Sequence, residues 1–77
     1  MNYIIIETQT MGTTTAVISV VKSTFETAEQ EYHTKLAYAA VSNVPLHAVT
    51  MIGENGKEIK HTCYDHRPPA TEEVEAE

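Results

Sequence analysis

The sequence predicts a two-layer α+β domain of β-β-α-β-β order: a four-stranded, mostly antiparallel sheet with one helix on one face. Three observations predict it. A helical period is sustained only between Thr24 and Asn43, β-branched or alternating runs stand in pairs on both sides of it, and each pair is joined by a glycine-bearing turn. One helix and two hairpins bury their apolar sides by packing as two layers.

Asn2 to Thr10 (NYIIIETQT) reads as the first strand, closed by Met11-Gly12. Alternation sets Ile4, Ile6 and Thr8 on one face and Tyr3, Ile5 and Glu7 on the other. Thr13 to Val21 (TTTAVISVV) is the second strand, with apolar residues on both faces: Ala16, Ile18 and Val20 oppose Val17 and Val21. The short link between the two strands predicts an antiparallel hairpin. Ser23-x-x-Glu26 then matches a capping box, and Glu26, Glu29 and Glu31 suit the positive end of a helix dipole. At 100° per residue Phe25, Ala28, Tyr32, Leu36, Ala39 and Ala40 share one stripe, while Ala37, Tyr38 and Val41 form a second apolar patch outside it. Glu31 and Lys35, four apart, read as a solvated pair.

Pro45 ends the helix, since it lacks a backbone donor and biases Val44 to extended geometry. Leu46 to Gly53 is the third strand. Asn55-Gly56 is expected at the centre of a tight turn, and Lys57 to Tyr64 (KEIKHTCY) is a fourth, more polar strand suited to a sheet edge. Residues 1–66 thus form one domain. Residues 67–77, with Glu72, Glu73, Glu75 and Glu77 against Arg67, are expected to be a disordered acidic tail.

A chain of 77 residues sits near the size at which one core suffices, and Cys63, its single cysteine, has no intrachain partner. Self-association is therefore expected, as a homodimer or higher homo-oligomer. The strands support it, because Ile4-Ile5-Ile6, Val20-Val21 and the Leu46–Ile52 run leave neither sheet face polar. Covering roughly 400 Å² of the uncovered face would contribute a gross ~10 kcal/mol per protomer at ~25 cal/mol/Å². Tyr3, Ile5, Val17, Val21, Tyr38 and Val41 are the expected interface residues. No apolar run is long enough to span a bilayer, and Met1 to Gln9 lacks the basic region of a signal peptide, so a cytoplasmic protein is expected. The net charge of −6 offers no footprint for phosphate backbones and excludes direct nucleic-acid binding as an expectation.

The functional side chains crowd into His61, Cys63, Tyr64, Asp65, His66 and Arg67, with His47 a further neighbour by expectation. Cys63-x-x-His66 has zinc-ligand spacing but no second cluster to complete a site, so no metal or cofactor is assigned. A Cys63–His61 nucleophilic pair would stand about 6–7 Å apart along a strand, and no glycine-rich nucleophile turn accompanies it; Cys63 reads as a small buried residue and no enzyme is expected. Lys57, Lys60, Tyr64, His66 and Arg67 are the candidate ligand-binding residues, which oligomerisation would gather around a small anion.

YIIIETQT, EYHTKLAYAAVSNVPLHAV and the closing HTCYDH together resemble a group of small uncharacterised proteins of phages and mobile elements of anaerobic gut bacteria. The likeness spans Tyr3 to His66 and implies a setting. In that setting small, acidic, self-associating proteins often work as counter-defence factors, so a stoichiometric factor of this kind is expected. It would occlude a host protein through acidic residues such as Glu26, Glu29, Glu31, Glu54 and Glu58, or alternatively sequester a nucleotide immune signal; a structural accessory without a ligand is the third reading.

Overall fold

The structure, a computed structural model, describes residues 1–67; the expected disordered tail, Arg67 apart, lies outside them. β1 (Tyr3–Met11), β2 (Thr14–Lys22), α1 (Phe25–Ala40), β3 (Leu46–Gly53) and β4 (Glu58–Asp65) follow in the predicted order. The strands form one sheet ordered β2-β1-β3-β4, and every pairing is antiparallel. β2 and β3 both run opposite to β1, hence parallel to each other, and such strands need a crossover; α1 supplies it, carrying the chain past β1. The isoleucine-rich β1 and the alternating β3 become the central strands. β2 and β4 are the edges.

Thr24 caps the helix in extended geometry (φ −128°, ψ 153°), and its Oγ1 accepts from Thr27 N at 3.3 Å. The cap is thus one residue later than the Ser23–Glu26 box the sequence suggests. Thr27 answers Thr24 by donating its hydroxyl to Thr24 O at 3.1 Å. Starting at Phe25 sets that ring edge-on to Tyr3 at 5.6 Å and turns Ala28 and Tyr32 onto the sheet.

The core is Ile5, Ala28, Tyr32, Ala39, Val49 and Met51, with Tyr3, Leu36 and Tyr64 against it. Ala28 and Ala39 bring the helix close over the two central strands, and Tyr32 reaches sideways to β4, where its hydroxyl meets Thr62 Oγ1 at 2.9 Å. Ala40, expected in the buried stripe, is exposed, because the helix rests on the central strands along a narrower line.

Both hairpin turns rest on glycine. Gly12, at φ +65°, opens the two-residue loop between Met11 and Thr14, the position where the favoured hairpin turns need a positive φ. No atom lies within 4 Å of where a Cβ would stand, so Gly12→Ala is expected to cost about 1–2 kcal/mol from backbone strain alone, read from the urea midpoint. The second turn differs from expectation. Gly53 N donates to Lys57 O and Gly56 N to Gly53 O, both at 2.9 Å, so Asn55 and Gly56 are the last two residues of a three-residue loop. Gly56, at φ +86°, takes its left-handed position, and Asn55 Oδ1 accepts from Lys57 N at 3.2 Å.

Candidate interaction surface

Alternation along β1 turns Tyr3, Ile5, Glu7 and Gln9 toward the helix, and β3 answers with Met51 opposite Ile5 and His47 opposite Gln9. Glu7 and His47 are consequently buried, at 8% and 3% exposure. His47 Nε2 lies 2.5 Å from Glu7 Oε2, Gln9 Nε2 donates to the same oxygen at 3.0 Å, and Lys35 Nζ donates to Oε1 at 3.3 Å. Lys35 also stands 3.5 Å from Glu31, which is 3.9 Å from Lys22. The polar contacts run unbroken from β3 through β1 and the helix to β2. Lys35 is therefore a largely buried tether between layers, in contrast to the solvated pair expected of Glu31 and Lys35. His47 Nδ1 is buried with no partner among the described residues.

Burial pushes the Glu7 carboxyl up, but hydrogen bonds from His47, Gln9 and Lys35 and the Lys35 charge outweigh it and hold Glu7 below its ordinary 4.5. A carboxyl lowered in the folded state contributes stability that is full above its unfolded value and lost as pH falls through the folded one. The urea midpoint is accordingly expected to drop as the pH is lowered below 4.5. Glu7→Gln should flatten that part of the curve, and an equally steep fall in the variant would contradict the assignment.

The opposite face of the sheet has no helix on it. The registers set its side chains in four rows from β2 to β4: Val21, Ile4 and Ile52, with Glu58 opposite Ile52 across a register irregularity that leaves Ile59 unpaired; Ser19, Ile6, Thr50 and His61; Val17, Thr8, Ala48 and Cys63; Thr15, Thr10, Leu46 and Asp65. The two carboxylates stand only on the β4 margin, at opposite corners. Hydrogen bonds between Thr50 Oγ1 and His61 Nδ1 (2.8 Å), and between the Thr10 and Thr15 hydroxyls (2.9 Å), satisfy polar groups within the face. What remains is a broad uncharged surface, apolar along Val21, Ile4, Ile6 and Ile52.

The expected interface residues divide. Ile5 is fully buried beneath the helix and Tyr3 packs on the same side, so neither belongs to the open face; in β1 the outward isoleucines are Ile4 and Ile6. Val17 and Val21 are exposed on β2, while Tyr38 and Val41 are exposed on the helix, across the sheet from the open face.

The five expected ligand residues do not converge. Lys60 pairs with Glu29 and lies about 6 Å from the Phe25 and Tyr32 rings. Arg67 embraces Asp65 at 2.9 and 2.7 Å, hydrogen bonds that hold the Asp65 carboxyl down to about 2. Tyr64 stacks on His66, whose Nε2 donates to Ala39 O at 3.0 Å and so tethers the helix end. Lys57, in the loop before β4, is separated from this end by the strand's length, about 27 Å at ~3.4 Å per residue. Cys63 is exposed on the open face, in contrast to the buried residue expected, because β4 turns it away from the helix. His66 lies toward the helix and His47 is beneath it, so neither joins Cys63. Among the described residues no group of His, Cys, Asp and Glu could hold a metal ion, and no helix is long and apolar enough to cross a membrane.

Sequence reasoning missed the Glu7–His47–Lys35 cluster. Its signal was present: Glu7 shares a strand face with Ile5, and an acid on a helix-covered face calls for a buried partner. Compared with family models, curated proteins and solved structures, the chain matches none.

Proposed function

We propose that this is a non-enzymatic, self-associating protein that acts stoichiometrically, by covering a surface of another protein with the open face of its sheet. In the setting implied by the phage resemblance, it is a counter-defence factor and its target a host protein. The observation that carries the reading is the uncharged surface of Ile4, Ile6, Val21 and Ile52 with Thr8, Ala48 and Thr50. Exposed apolar area of this kind marks association surfaces. The acidic helix is the weaker candidate, since Glu29 and Glu31 are engaged by Lys60, Lys22 and Lys35.

Recovery of tagged protein from a gut anaerobe expressing it tests the reading. One partner in fixed ratio, retained in molar salt and lost on Thr50→Lys, is expected. A complex that dissolves in salt yet survives Thr50→Lys would transfer the contact to the acidic residues. Recovery of the protein with no partner in fixed ratio would end the reading.

A further inference from the structure

We infer that the outer edge of β2 is the self-association surface, where β2 of a second copy pairs with it antiparallel to make one continuous eight-stranded sheet. The inference rests on the self-association in the reading above and gives it a location.

The two edges of the sheet are unlike. β4 carries Glu58, Lys60 and Asp65, and a register irregularity lies between Met51 and Ile52 where it pairs with β3. Charges and bulges of this kind discourage pairing with another chain. β2 has neither. Over Thr14–Lys22 it holds no proline, its register with β1 is uninterrupted, and its only charge is the terminal Lys22. It also exposes apolar side chains on both faces: Val17 (64%) and Val21 (61%) on the open side, and Ile18 (45%) on the helix side.

The backbone fits the same conclusion. A two-residue loop closes on a hydrogen-bonded pair, here Met11 and Thr14, so Thr14, Ala16, Ile18, Val20 and Lys22 bond to β1. Gly53, whose N–H goes to Lys57 O just before β4, fixes the same parity when followed across the registers through β3 and β1. Thr15, Val17, Ser19 and Val21 therefore direct their N–H and C=O groups away from the sheet.

A two-fold axis at Ile18 satisfies all of these groups. It pairs Val17 with Ser19 and Thr15 with Val21 of the other copy in hydrogen-bonded positions, and sets Ile18 against Ile18 and Ala16 against Val20 between them. No like charges face each other, since Lys22 meets Thr14. Both helices then lie on one side of the joined sheet. Tyr38 (69% exposed) follows Glu31 and Lys35 along one flank of α1, the flank whose Glu31 reaches Lys22, and so overhangs the joint. The open faces merge into one double-width surface.

The test is native mass by sedimentation at micromolar concentration for the wild type, Ile18→Lys and Thr50→Lys. A wild-type dimer, a folded monomer for Ile18→Lys and a dimer for Thr50→Lys are expected. As a second arm, chains with Val17→Lys and Ser19→Lys, and chains with Val17→Glu and Ser19→Glu, should each be monomeric alone and dimeric when mixed, which a folding defect could not produce. Dissociation by Thr50→Lys with Ile18→Lys still dimeric would overturn the edge pairing and leave self-association through the open face. A wild type that is only the 8.5 kDa species would overturn both.

Discussion

Glu7→Ala is expected to destabilise the protein by about 3–5 kcal/mol, the cost of removing one partner from a buried charged cluster. That approaches the whole stability of a domain this small, so most of the variant should be unfolded at room temperature. Alanine leaves Lys35 with Glu31 alone, His47 Nε2 and Gln9 Nε2 without an acceptor, and His47 Nδ1 as unpaired as before. The penalty comes from the groups left behind. A triple variant, Glu7→Met with Lys35→Met and His47→Leu, should therefore recover most of the loss, because apolar residues of similar volume replace such clusters at little cost. Urea titrations of both variants check this; a triple variant as unstable as Glu7→Ala would contradict it.

Truncating neighbouring isoleucines should give unequal results. Ile5 is fully buried beneath the helix, with Val20 and Met51 as its cross-strand partners, and Ile5→Ala is expected to cost about 2–5 kcal/mol through lost burial and the cavity left. Ile6, one residue on, lies on the open face between Ser19 and Thr50, and Ile6→Ala should cost a fraction of that. Urea midpoints measured side by side decide it. Equal costs would mean that the open face is covered in the isolated protein, as in stacked sheets, which edge pairing at β2 does not produce.

The fold was legible because period and punctuation agree: one 3.6-residue stripe, flanked by hairpins with Gly12 and Gly56 in their turns. Strand order was not legible, since α1 could have set β3 on either side of the first hairpin. The edge position of β4 followed from its polarity. Its apolar counterpart at the other edge, β2, did not, because Val17, Ile18 and Val20 read equally well as a central strand. The cap shifted from Ser23 to Thr24 for a tertiary reason, the fit of Phe25 against Tyr3. The candidate site was the least legible part. Doubly apolar strands pointed to an uncovered face, yet a one-residue difference in register decides whether Ile5 or Ile6 belongs to it. Local sequence could not show that Lys60 is engaged by Glu29 and His66 by the helix end, since those partners come together only on folding.

Amide hydrogen exchange along β2 tests the central claim most directly. At high protein concentration Thr15, Val17, Ser19 and Val21 should be as protected as Ala16, Ile18 and Val20, and should lose that protection on dilution while the second set keeps it. Rapid exchange of the first set at every concentration, with the second set slow, would mean that the β2 edge faces water and that no second copy pairs there.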